Sequence, residues 1–394
     1  MKPKTVINQF NYNYLIVILL FTYLGMVYFS MAVPNIILGL VLFIFILGVS
    51  TKRLQLYFTR RNWLIYVIIS IPLLLTIVSV LHSSNMIDGL KHIWKRLPIL
   101  IIPFVLIFGK YDKKHIKTGL SFFVSFTVIA SLVALYNAGK YFNEDILFKT
   151  DFAHFITLIQ HPYFGIYTLI ALLSIFELGL IKHRALKIII CLLFVCVIML
   201  TTSRLVYILL LSYSCYFLFK NLSRKRFIGF TILLAALVIA FLGTNQKIAN
   251  KFKSTVEYDN SPRLQLWNNS LRVVEKQNAY IFGIGIGDYY SNKKDTYYAK
   301  GRDSGMLGLN PHSQVFEFYI TNGVLGILIL GSTLFVFVVF LRQQERITFF
   351  LFSIIFLFSL SECIFSRQYG VQLYCVLIPI LLTESFNKIK NEVE

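Results

Sequence analysis

Charge is scarce in this chain. Only 14% of its 394 residues are Asp, Glu, Lys or Arg, while 57% are hydrophobic. Acidic residues are the rarest class, 18 against 38 basic ones. The outer loops contain no D-x-D pair, so the usual carboxylate ligands of a metal–diphosphate site are missing. Cysteine is limited to Cys191, Cys196, Cys215, Cys363 and Cys375, all in or beside apolar runs. That excludes a disulfide framework and a zinc-type spacing. No internal repeat or low-complexity segment interrupts the pattern. A mean hydropathy of +0.70 rules out an ordinary soluble domain and points to a polytopic helical membrane protein.

The formal net charge of +20 would suit nucleic acid. Here, however, the cations sit in short clusters between apolar runs, with no continuous basic face, so no nucleic-acid partner is expected. The apolar runs predict about twelve transmembrane helices, at 12–31, 35–50, 63–81, 97–109, 118–136, 162–181, 186–202, 204–219, 227–243, 312–340, 347–364 and 371–386. The fourth is short and carries Pro98 and Pro103; the tenth is long enough to protrude or tilt. The fold class is therefore an all-α polytopic membrane protein with the lipid bilayer as its surroundings. Residues 1–243 hold helices one to nine, 244–311 form one large polar loop with short amphipathic helices, and 312–394 hold helices ten to twelve and a tail. With the N-terminus inside, 21 of the 38 Lys and Arg fall in cytoplasmic connections, against seven outside once the ten in the long loop are set aside. The positive-inside rule then puts both termini in the cytoplasm and the large loop outside.

This topology gathers the unusual polar residues on one face. Asn310-Pro311-His312 stands at the mouth of the tenth span. Asn310 is predicted to cap that helix and Pro311 to open it, leaving His312 in the first turn. The helix dipole there disfavours imidazolium and leaves a neutral proton acceptor, as a general base requires. Arg204 follows Thr201-Thr202-Ser203 at the outer ends of two spans. Arg263 opens a predicted amphipathic helix in which Leu264, Trp267, Leu271 and Val274 form the apolar stripe and Ser261 the cap. Arg96, with Lys91 and Lys95, ends a second amphipathic stretch. Glu362 lies near the outer end of the eleventh span, where an acid needs a partner; it suits either His312 or an Arg. His161-Pro162 opens the sixth span much as Pro311-His312 opens the tenth. Gly283-Ile284-Gly285-Ile286-Gly287 reads as a tight backbone turn that approaches substrate closely. Tyr289, Tyr290, Tyr297 and Tyr298 suit sugar stacking or the membrane interface. Each arginine would serve equally as an anchor for phospholipid headgroups. Together, arginines facing outward suit a lipid-linked diphosphate, which they bind through paired charge-assisted hydrogen bonds.

The set Ser203-Arg204, Arg263 with Trp267, the Gly283–Gly287 turn before Tyr289, and Asn310-Pro311-His312-Ser313 leading to Phe316, Asn322-Gly323 and Gly326 resembles the O-antigen ligase family, which includes O-antigen polymerases. The family often has Asn where this chain has Ser313. The resemblance implies a GT-C-like membrane glycosyltransferase without a cofactor, in the inner membrane of the bacterial cell envelope. Its donor would be a glycan on undecaprenyl diphosphate. Its acceptor would be lipid A–core sugar, as in lipopolysaccharide biosynthesis, or another glycan if the protein is an O-antigen or exopolysaccharide polymerase. By position, the resemblance implies His312 as catalytic base and Arg204 and Arg263 as diphosphate ligands, with Arg96, Glu362 and Trp267 in support. A lipid-linked glycan transporter is the alternative from another class. It would place its charges or broken helices near the bilayer midplane.

Overall fold

A computed structural model describes residues 11–109, 111–142, 150–221, 223, 229, 262–290, 310–341 and 346–382. These are helical almost throughout and form no strand; one antiparallel bridge joins Leu56 and Gly109. The first ten helices are α1 (Tyr12–Met26), α2 (Val33–Ser50), α3 (Arg60–Leu81), α4 (Met86–Arg96), α5 (Pro98–Phe108), α6 (Lys113–Lys140), α7 (Thr150–Ile156), α8 (His161–Leu178), α9 (Arg184–Leu200) and α10 (Arg204–Asn221). They are followed by α11 (Pro262–Lys276), α12 (Ile286–Tyr290), α13 (Gln314–Leu341), α14 (Arg346–Ser361) and α15 (Gln368–Leu382).

Among the described residues five helices are long and apolar enough to cross a membrane: α2, α3, nearly all of α6, α8 and α13. The helices α1, α14 and α15 are shorter apolar ones, with α14 counted from Thr348. The expected spans coincide with helices except the ninth, 227–243, which lies outside the described residues, as does most of the loop 244–311. Exposed Ile36, Phe43, Ile46, Leu328 and Phe335 show the all-round apolarity of helices that meet lipid as well as protein. The interior is built mainly from α1, α3, α5, α6, α8 and α15, where Leu20, Phe21, Ile69, Ile102, Phe123, Tyr163 and Val371 are fully buried.

One end of the bundle collects the starts of α5, α8, α10, α13 and α15 and the ends of α3, α6, α9 and α14. At the opposite end Tyr57 N donates to Phe108 O. The short helix α4 lies at the first end and divides by face. Gly89, His92 and Arg96 are buried, while Ile87, Leu90 and Trp94 are exposed at the same three- and four-residue spacing. An apolar outer face on a helix of this polarity suits the membrane interface.

Helix α13 is broken. Gly323 has φ +63 and ψ −159, far from helical values, and divides α13 in two. Residues 324–341, at about 1.5 Å each, cover about 27 Å, close to the hydrocarbon thickness. The expected over-long tenth span is thus resolved by a break near its mouth.

Candidate functional site

The break in α13 is closed by the glycine-rich turn. Ile284 N donates to Ile320 O (2.8 Å) and Gly285 N to Thr321 O (3.2 Å). In return, Val324 N donates to Tyr280 O (2.8 Å) and Leu325 N to Ile281 O (3.3 Å). From α3, Ser79 Oγ donates to Thr321 O and accepts from Ile286 N. Gly283 sits at φ +75 against the Thr321–Gly323 backbone, where any Cβ would collide. The close approach expected toward substrate is instead made to the protein's own backbone. Because the freed groups of the break are already paired, they are not the vacant ligands that a transporter's broken helix offers an ion.

His312 precedes α13 rather than lying in its first turn. Asn310 Oδ1 accepts from His312 N (3.2 Å), an Asx turn, so Asn310 is not the helix cap. The first helical bond runs from Glu317 N to Ser313 O, which puts Ser313 at the cap position. His312 takes a left-handed backbone, φ +46. That conformation costs a non-glycine residue on the order of 1 kcal/mol and persists only where neighbours impose it. Here one of them is Trp267, whose Nε1 donates to Pro311 O (2.6 Å) while its ring stacks on Phe316 at 4.5 Å. The imidazole is then oriented by Glu362: His312 Nδ1 lies 3.2 Å from Oε2 of that nearly buried carboxylate. A proton on Nδ1 directed at Glu362 leaves Nε2 as the acceptor.

His312 and Glu362 line a cleft of about 350 Å³ together with His154, Gln160, His161, Pro162, Thr202, Ser203, Arg204 and Leu205. Arg204 is half-buried and is the cation of this lining. The positively polarised N-terminal ends of α8 and α10 open onto the cleft, and α13 begins two residues after His312. Converging helix starts with an arginine favour a bound anion. No three His, Cys, Asp or Glu side chains come close enough to hold a metal among the described residues.

Arg263 falls in the first turn of α11, and its side chain lies outside the described residues, as do Ser261, Tyr297 and Tyr298. On α11 Leu266, Ser270, Val273 and Val274 are buried; of the stripe read from the sequence, Val274 is buried, Leu264 and Trp267 are half-buried and Leu271 is exposed. The partners of α11 are Ile284, Tyr289 and Ile320. Lys91 pairs with Asp88 on the surface.

Arg96 is fully buried and does not line the cleft. Its Nη2 lies 2.7 Å from Glu317 Oε1, its Nη1 donates to Thr76 Oγ1 (2.6 Å) and its Nε to Phe365 O (3.0 Å). Glu317 also accepts from Ser366 Oγ (2.6 Å), Tyr290 Oη (3.2 Å) and Gln314 Nε2. Gln314 Oε1 in turn accepts from Phe365 N (2.9 Å). One buried polar network thus joins the segment after His312 to the segment after Glu362. Burial, aided by the Arg96 guanidinium, holds the nearby His92 imidazole down to a pKa of about 3.

Sequence reasoning missed Glu317, an acid inside a span whose signal was its cost there. It also missed His154, which carries no local signal, and gave His161 little weight although its His-Pro setting matched that of His312.

Fold and cleft define a multi-pass helical membrane protein with an anion-suited polar cleft at one end of its bundle. Residues 189–331 match the model of a family described as O-antigen ligase, in agreement with the resemblance drawn from the sequence. The match supports a membrane glycosyltransferase of the O-antigen ligase or polymerase type. No curated protein matches the chain.

Proposed function

We propose that the protein moves a glycan from undecaprenyl diphosphate to an acceptor hydroxyl on the outer face of the bacterial inner membrane, as an O-antigen ligase acting on lipid A–core. The observation that carries this reading is the single cleft uniting the His312–Glu362 pair, Arg204 and converging helix N-termini. The acceptor oxygen attacks the anomeric carbon and its proton passes to His312 Nε2. The bond from that carbon to the diphosphate oxygen breaks, and its electron pair leaves with undecaprenyl diphosphate. Arg204 and the helix starts stabilise the leaving charge; Arg263, opening α11, is assigned the same role. Glu362 fixes the imidazole tautomer and stabilises the imidazolium. Direct displacement inverts the anomeric centre. Both termini are assigned to the cytoplasm from the distribution of Lys and Arg.

A deletion strain complemented with wild type or His312→Ala tests this. The variant should accumulate in the membrane normally and lose transfer by at least about 100-fold, the scale of a general base. Long glycan held on undecaprenyl diphosphate above bare lipid A–core identifies a ligase, whereas single repeats on the core identify a polymerase. Full transfer by His312→Ala would remove the base assignment.

A further inference from the structure

His312 and Glu362 come from stretches of chain 50 residues apart. Their 3.2 Å contact is kept only if the backbones that carry them are held in register. Trp267 holds His312 from before, through Pro311 O. From after, His312 leads into α13, and Glu362 leads into a short 3-10 turn, Ile364–Ser366.

Gln314 ties these two continuations together. It is the first residue of α13, two positions after His312, and is buried. Its Oε1 accepts from Phe365 N (2.9 Å), three positions after Glu362. Its Nε2 donates to Glu317, whose carboxylate is paired with Arg96. The partners fix the orientation of the amide. A backbone N–H only donates, so Oε1 faces Phe365; an ionised carboxylate only accepts, so Nε2 faces Glu317. Arg96 Nε holds the Phe365 carbonyl (3.0 Å), so the residue that Gln314 grips is itself fixed. Ser366 Oγ also reaches Glu317, but from one residue further along the turn to a point five residues past His312. Gln314 is the shorter lever on the pair.

We propose that Gln314 is a positioning residue for glycosyl transfer. Its amide sets the spacing of His312 and Glu362, which keeps the imidazole proton on Nδ1 and leaves Nε2 facing the cleft. This rests on the transfer reading and deepens it. Gln314 is not among the described residues that line the cleft, so it acts on the reaction through the pair. Donor charge is met by Arg204 and the starts of α8 and α10, on other elements. Loss of Gln314 should therefore slow the chemical step and leave donor binding nearly intact.

Gln314→Met keeps the length of the side chain and removes both hydrogen bonds. For the full chain in nanodiscs with varied lipid-linked donor, its kcat should fall about 10- to 100-fold, the scale of a misplaced catalytic group, while donor KM stays within about threefold. Gln314→Asn keeps an amide one methylene short of both partners and should show the same split. Ser366→Ala removes a bond to the same carboxylate but leaves Gln314 in place; its kcat should stay within about threefold of wild type. In a Glu362→Ala background, where the contact is already gone, adding Gln314→Met should cost less than about twofold more. NMR of the histidine ring nitrogens needs no turnover. The signal missing from His312→Ala identifies His312, which should be protonated on Nδ1 in wild type and a mixture of tautomers in Gln314→Met. Losses that multiply with those of Glu362→Ala, or wild-type kcat with an unchanged His312 signal, would overturn the inference and leave the transfer reading standing. A His312 tautomer that follows Gln314 in a protein forming no glycosidic bond would do the reverse.

Discussion

Breaking the Arg96–Glu317 pair should be among the most damaging single changes in this fold, and the two halves should not be equivalent. Both side chains are fully buried. Among the described residues, Glu317→Leu leaves the guanidinium with Thr76 Oγ1 and Phe365 O as acceptors and no anion. The flanking Phe318 and Phe365 rings, about 6 Å from the guanidinium carbon, add weak compensation. Arg96→Met leaves a carboxylate still served by Ser366, Tyr290 and Gln314. Uncompensating one partner of a buried pair costs roughly 3–5 kcal/mol. Glu317→Leu should fall at the upper end of that range and Arg96→Met at the lower. The double variant buries no charge and should lose little more than Glu317→Leu alone, giving a coupling of about 3 kcal/mol in a double-mutant cycle. Reversible unfolding in mixed micelles measures all four corners. Additive losses, or either single variant within about 1 kcal/mol of wild type, would refute the reasoning.

Three further outcomes follow from the geometry. Trp267→Phe removes the hydrogen bond to Pro311 O but keeps a ring on Phe316; the loss should be about 1 kcal/mol and appear as a kcat lowered several-fold at little-changed donor KM. Gly283→Ala forces a side chain into the Thr321–Gly323 backbone at a left-handed φ, so the folded yield should fall with a loss of at least about 2 kcal/mol, read by size-exclusion profile and unfolding midpoint. His92 has a folded pKa of about 3 against an ordinary 6.5, so the unfolded chain binds more protons between those values and stability falls as pH drops below about 6.5. The loss at pH 5 is about 2 kcal/mol. His92→Phe should abolish this slope, because the His92 Nδ1 has no hydrogen-bond partner among the described residues and a phenyl ring keeps the stack on Tyr290.

The helices were legible because length and hydrophobicity are local properties, as was the gathering of His312, Arg204 and Glu362 at one end once the Lys and Arg clusters were counted. What was not legible depends on distant partners. Arg96 reads as a surface cation beside Lys95, and only a carboxylate 221 residues away turns it inward. Asn310-Pro311 reads as a helix cap because Asn and Pro both favour that position, yet the Asn side chain closes on the amide two residues later and leaves the cap to Ser313. The apolar stripe of α11 was assigned by periodicity, but packing with Ile284, Tyr289 and Ile320 takes Val273 along with Val274, and Leu271 is left exposed.

The break at Gly323 also bears on how the chain is assembled. Two carbonyls and two amides at that point cannot be satisfied by their own helix, and each would cost several kcal/mol in lipid. Their partners, Ser79 and the segment 280–285, precede them in the chain and so leave the ribosome first. The lock therefore exists before the key arrives: the last fifth of the protein is inserted against a receiving surface that earlier synthesis has already made. Truncation before α13 would leave that surface unfilled, whereas α13 translated without its upstream loop would enter the membrane with its polar backbone exposed.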